Sequence, residues 1–158
     1  MTNALQHSPT TEHKEAWVRA YVAGYVAPPL LSPEDAQDPA INRRGKWLVF
    51  VDREHVEEVW AKVAEATRAG ALGDESKVST EYLRGEIPRR PEDSYVIVAY
   101  SEEWTDVEDV RRVLRGIRDL GITQRLTYKR DAETHRGVYG SGSVYYRSPE
   151  GSDLVERV

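Results

Sequence analysis

A chain of 158 residues, 39% hydrophobic and 31% charged, is long enough to bury one core and short enough to form a single domain. Its net charge of −5 argues against general nucleic-acid binding, which needs a basic excess, but leaves room for a local cationic pocket. The lack of cysteine excludes disulfides, a thiol nucleophile and a thiolate zinc site and fits a cytoplasmic protein; no apolar run of roughly 18 residues is present to span a membrane, and Met1–Thr11 lacks the pattern of a signal peptide.

Taken in order, residues 1–9 read as a polar, disordered tail and residues 10–150 as one domain. Thr10 and Thr11 predict a capped helix running to about Ala23, with Trp17, Ala20, Tyr21 and Gly24 on one stripe and Trp17 as a core anchor. Residues 27–45 hold Pro28, Pro29, Pro33 and Pro39 among several acids and read as a loop. Lys46 to Val51 predicts a central strand. Trp47, Val49 and Val51 lie on one face, and Lys46, Leu48 and Phe50 on the other. Asp52 then caps a helix from Arg53 to Ala69, with Val56, Val59, Trp60 and Val63 at helical spacing and Gly70 as its stop.

After a turn at 70–75, Ser76 to Glu81 predicts a short strand, and residues 84–94 a loop. Tyr95-Val-Ile-Val-Ala-Tyr100 is the clearest strand, β-branched and aromatic throughout. Thr105-Asp-Val-Glu108 reads as a capping box that opens a helix to Leu120. Gly116 sits inside that helix at a cost of about 1 kcal/mol relative to Ala, which points to close packing. Gln124 to Lys129 predicts another strand, 130–142 a polar glycine-rich loop, and Ser143 to Arg147 an edge strand. The expected architecture is α+β, a mostly antiparallel sheet with helices on one face.

Few chemistries are available to these residues. His7, His13, His55 and His135 form no His-x-x-x-His or His-Glu-x-x-His pair, so neither a metal nor another cofactor is expected. Gly137, Gly140 and Gly142 follow no phosphate-loop pattern, and no nucleophile-elbow motif surrounds Ser101, Ser141 or Ser143. Cations remain. Lys46 and Lys77 each lie on a strand otherwise meant for burial, where desolvation and a neighbouring charge would lower an amine's pKa and make it a base. Lys129, Arg130 and Arg136 are placed to clamp a phosphate or carboxylate, with Tyr100, Tyr128 and Tyr139 as hydroxyl donors. Trp47 or Trp104 would serve to stack on a base.

Several segments together resemble the basophilic leukemia expressed protein family. They are Gly45-Lys-Trp-Leu-Val-Phe50, Val59-Trp60, Leu72-Gly73, Lys77-Val-Ser-Thr80, Tyr95–Tyr100, Trp104-Thr-Asp-Val, Tyr128–Thr134 and Gly137-Val-Tyr139. The resemblance implies a fold like that of the cap-binding translation initiation factor, a curved antiparallel sheet with helices on its back and a ligand site on its concave face. It also implies phosphothreonine lyase chemistry, in which phosphate leaves by β-elimination. By that comparison Lys77 is the base and Lys46 a phosphate or carbonyl ligand, with Lys129 and Arg136 matching later basic residues. Leu48 stands where the acid histidine is expected, and His135 or a tyrosine would have to replace it.

Two functions follow as expectations. One is β-elimination of phosphate from a phosphorylated Thr/Ser or a small phosphorylated substrate. The other is non-catalytic binding of a nucleotide, capped RNA or phosphopeptide. In both cases the partner is a phosphorylated peptide or small molecule, a nucleotide being possible, and not a membrane. A partner-binding role for the Pro-rich 27–45 segment is a third.

Overall fold

In the computed structural model, which describes residues 8–86 and 94–158, seven strands form one antiparallel sheet in the order β1-β3-β4-β2-β5-β6-β7. The strands are β1 (Trp17–Tyr21), β2 (Gly45–Asp52), β3 (Glu75–Ser79), β4 (Ser94–Ser101), β5 (Leu126–Arg130), β6 (Val144–Ser148) and β7 (Glu156–Arg157). Five α-helices connect them: α1 (Pro33–Ala36), α2 (Val56–Arg68), α3 (Glu81–Glu86), α4 (Val107–Asp119) and α5 (Asp131–His135). This is the expected α+β architecture. Among the described residues no helix is long and apolar enough to cross a membrane.

The two long helices cover one face of the sheet. Trp47 and Val49 of β2, Tyr95, Ile97 and Ala99 of β4, and Tyr128 of β5 pack against Trp60 and Val63 of α2 and Val110, Val113, Leu114 and Ile117 of α4. Alternation along each strand then turns Lys46, Lys77, Tyr100 and Lys129 to the opposite face, where Val96, Val98 and Tyr100 form a smaller apolar cluster with Trp17 and Leu48. One face of the sheet makes the core; the other carries the charge.

Several expectations are corrected. The predicted helix over 10–23 is a turn followed by β1. Trp17, Arg19 and Tyr21 alternate with the inward Val18 and Ala20, and the edge of β3 pairs them from Trp17↔Ser79 to Tyr21↔Glu75. A strand edge seeking a partner outweighs the weak helical stripe. The predicted tail ends sooner: Ser8 is buried and donates to Glu57. The 27–45 loop contains α1, capped by the Ser32 side chain. The 130–142 loop opens as α5. The cap of α4 is Asp106, which accepts from the Glu108 and Asp109 amides, in place of Thr105. β6 is no edge, because β7 pairs with it. Of the predicted 84–94 loop, 84–86 belongs to α3 and 87–93 lies outside the described residues, as does 1–7 of the tail.

Three glycines, Gly45, Gly73 and Gly116, admit no side chain. A Cβ on Gly116 would lie 2.4 Å from the Ala71 carbonyl oxygen, so the predicted close packing is real. At Gly45, where β2 begins, a Cβ would lie 1.8 Å from the Tyr128 hydroxyl. That tyrosine is fully buried, bonded to Ser101 Oγ at 2.6 Å and packed edge-on against Trp47, so it cannot swing aside. Gly45→Ala is expected to cost about 3 kcal/mol through overpacking, read as a lower denaturant midpoint at unchanged slope. A cost below about 1 kcal/mol would mean that the β2–β5 contact yields.

Candidate functional site

The register builds the site row by row on the uncovered face. Lys46 of β2 lies between Tyr100 of β4 and Lys129 of β5. Lys77 of β3 lies between Arg19 of β1 and Val98 of β4. Tyr100 stands where the rows meet. Its ring centroid is 5.7 Å from Lys46 Nζ, 5.6 Å from Lys77 Nζ and 4.4 Å from the Arg44 guanidinium. The two lysines singled out in the sequence thus flank one aromatic ring, whose π-face is an uncharged counterpart for cations.

The lysines differ in state. Lys46, 5% exposed, donates to Asp131 Oδ1 at 2.7 Å, an ion pair closed by α5. Burial favours protonation of Asp131, but Lys46, the Asn42 amide at 3.3 Å and His135 outweigh it and hold the carboxyl below its ordinary value. Lys77 Nζ lies 4.0 Å from the Trp17 ring centroid and makes no hydrogen bond or ion pair with a described residue. Burial, then the Lys46 and Arg19 charges, push its amine down to about 7 against the partial support of Asp131 and Glu75. At neutral pH a large fraction of Lys77 is therefore unprotonated, a free base beside fixed positive charge.

Around this pair, Arg19 and Arg44 share Glu75 at 2.5 and 3.0 Å, and Arg44 reaches Asp74 at 3.4 Å. Burial raises the Tyr100 phenol well above its ordinary pKa, so it stays protonated and able to donate. Lys129 is buried, its Nζ 4.9 Å from the Tyr139 ring, and Tyr139 is itself exposed. His135 Nε2 lies 3.1 Å from Asp131 Oδ2, on the carboxylate oxygen that Lys46 does not use. Leu48 contributes only apolar surface.

Other expected members lie elsewhere. Arg130 follows Tyr128 by two residues and faces the helix side, stacked on Trp104 and Tyr145 and bonded to Glu133 at 2.6 Å. Arg136 is committed to the same Glu133 carboxylate. Neither joins the lysines, so the proposed Lys129–Arg130–Arg136 clamp reduces to Lys129. Trp47 is fully buried with Nε1 donating to the Val110 carbonyl at 3.0 Å, and Trp104 donates to the Pro39 carbonyl at 2.9 Å beneath Arg130. Neither indole is free to stack on a base. Tyr128, bonded to Ser101, is core.

Sequence reasoning missed Trp17, Arg19, Arg44 and Asp131. The first two would have been found by reading Trp17-Val-Arg-Ala-Tyr21 with a period of two. Asp131 carried no local signal, since its partner lies 85 residues away.

Among the described residues no group of three or more His, Asp or Glu is arranged to hold a metal. In comparison with known families, residues 35–137 match the family described as basophilic leukemia-expressed protein Bles03. The matched span contains Lys46, Lys77, Tyr100, Lys129, Asp131 and His135; Trp17 and Arg19 lie before it.

Proposed function

We propose that this chain, which belongs to the basophilic leukemia-expressed protein Bles03 family, is a carbon–oxygen lyase that removes phosphate by β-elimination from a phosphorylated Thr/Ser or a small phosphorylated substrate. The observation that carries the reading is Lys77: a mostly buried amine with no carboxylate partner among the described residues, poised near neutrality, on a sheet face shared with Arg19, Lys46, Arg44 and Lys129. A general base works best when its pKa lies near the working pH.

In this scheme neutral Lys77 Nζ takes the proton from the carbon next to the carbonyl. The electron pair forms a carbon–carbon double bond, the β-carbon–oxygen bond breaks, and phosphate departs. Arg19, Lys129 and Lys46 favour the departing charge electrostatically. Lys46 does so while tied to Asp131, so its contribution is smaller than that of an unpaired lysine. With Leu48 unable to donate, the proton for the leaving group comes from the protonated Tyr100 hydroxyl or from His135 beyond Asp131. A cytoplasmic setting belongs to the same proposal.

Incubation with phosphothreonine peptides, followed by mass spectrometry for loss of the elements of phosphoric acid, tests the reading. Activity at fixed substrate is expected to rise as pH passes about 7, where Lys77 loses its proton. A rate that is flat from pH 5 to 9, scaled as roughly that span on general acid–base grounds, would remove Lys77 from the role of base.

A second reading rests on Trp17. Its indole lies half-buried on the open face beside Lys77, where a nucleotide base would stack while the cations held its phosphates. Quenching of tryptophan fluorescence by nucleotide, lost in Trp17→Leu, without turnover of any phosphopeptide, would favour this binding module over the lyase.

A further inference from the structure

An amine that is mostly buried, free of any carboxylate and flanked by cations has a second chemistry open to it besides taking a proton. Unprotonated lysine is a nucleophile toward carbonyl carbon, and a neighbouring positive charge is one way proteins keep it so. Burial, the Lys46 charge and the Arg19 charge drive that state, and they outweigh the aromatic faces that would favour the ammonium. β1 supplies Trp17 and Arg19, β2 supplies Lys46, and β4 supplies Tyr100. Among the described residues the acids that favour its ammonium are Asp131 on α5 and Glu75 on its own strand. Both are engaged, Glu75 by Arg19 and Arg44 and Asp131 by Lys46, Asn42 and His135. Neither is left over to hold the Lys77 ammonium.

We propose that Lys77 captures carbonyl compounds covalently, forming an imine with a small aldehyde or ketone that also carries a phosphate or carboxylate. The Nζ lone pair attacks the carbonyl carbon and a carbon–nitrogen bond forms. The carbonyl oxygen leaves as water, taking the two hydrogens of the amine, and a carbon–nitrogen double bond remains. No electrons are lost or gained. The anionic group of the ligand lies toward Arg19 and the Lys46–Lys129 pair, and the Trp17 and Tyr100 rings shield the imine from hydrolysis. The inference shares with the lyase reading the premise that Lys77 faces an anion site, but it requires no elimination.

The probes are glyoxylate, an aldehyde bearing a carboxylate, and propionaldehyde, which bears no charge. The intact chain is incubated with each near neutral pH in cyanoborohydride, which reduces an imine to a stable secondary amine, and the modified lysines are located by peptide mass mapping. Lys14 and Lys62, both exposed, serve as internal references. Glyoxylate is expected to label Lys77 at least about tenfold more than either reference, because burial and the Lys46 and Arg19 charges hold the Lys77 amine down to about 7. Propionaldehyde should show a weaker preference, and added inorganic phosphate should protect Lys77 from glyoxylate. Lys77→Arg should leave only reference labelling; should that variant not fold, protection by phosphate in the unaltered chain still decides. Labelling that follows exposure, with Lys14 and Lys62 ahead of Lys77, overturns the inference. So does equal preference for the two aldehydes. A chain that traps glyoxylate yet eliminates nothing from phosphopeptides keeps this inference and loses the lyase; the reverse result does the opposite.

Discussion

Asp131→Asn is expected to destabilise the fold by about 3–5 kcal/mol at neutral pH, the usual cost of leaving one partner of a buried ion pair without its counter-charge. Lys46 and Asp131 are 6% and 15% exposed at the side chain, and their atoms are 2.7 Å apart. The asparagine amide can still accept a hydrogen bond, but the Lys46 ammonium would remain buried with no compensating charge on that side. Lys77 then also loses a negative neighbour, which lowers its proton affinity further. The double variant Lys46→Met/Asp131→Asn should recover much of the loss, since an apolar side chain needs no counter-charge.

The pH dependence follows from the direction of the Asp131 shift. Its folded carboxyl lies below the ordinary value of 3.8, so it stabilises the fold above that pH, and the contribution is lost as pH falls through the folded value. Denaturant unfolding of the three chains at neutral and acidic pH measures this. A loss under about 1 kcal/mol for Asp131→Asn would mean that water screens the pair as it does at an open surface.

The face on which the lysines meet was legible from alternation alone. In Lys46–Val51 the large apolar residues Trp47 and Val49 mark the core side, so Lys46 must point the other way; Lys77 follows from Val78 in the same manner. What alternation cannot supply is strand order. Tyr100 lies between the lysines because β4 pairs with both β2 and β3, a consequence of long-range pairing that leaves no trace in local spacing. Arg130 shows the converse. Read as one more cation in a basic loop, it is the last residue of β5, and its parity sends it to the helix side and onto Trp104. The segment around Trp17 was misread because it satisfies two periods at once. Trp17, Ala20 and Tyr21 make a passable helical stripe, and Trp17, Arg19 and Tyr21 a strand face; only the unpaired edge of β3 decides between them.

The lyase reading makes its sharpest demand at Lys77. Lys77→Met should reduce β-elimination about 10²–10⁴-fold, the span of a lost general base, and should at the same time make the protein more stable below neutral pH. The sign follows from the amine being pushed from 10.5 down to about 7. Between those values the unfolded chain binds more protons at this position than the folded one, so stability rises with pH across that window. Below it the folded state bears the full burden of a desolvated ammonium. Methionine fills similar space with no charge, and a gain of about 1–3 kcal/mol at pH 6 is expected after allowing for partial solvent access. The advantage should shrink as pH approaches 10.5. Lys77→Arg separates the base from the anion ligand: guanidinium keeps the positive charge but cannot take a proton, so substrate should still bind while turnover stays lost. Urea unfolding of the parent and methionine chains at pH 6 and pH 10, beside the phosphopeptide assay, provides both readouts. If Lys77→Met is no more stable at pH 6, or if the parent's stability does not change between pH 7 and 10, the amine is solvated and protonated in the fold; a base at this position is then untenable, whatever the activity shows.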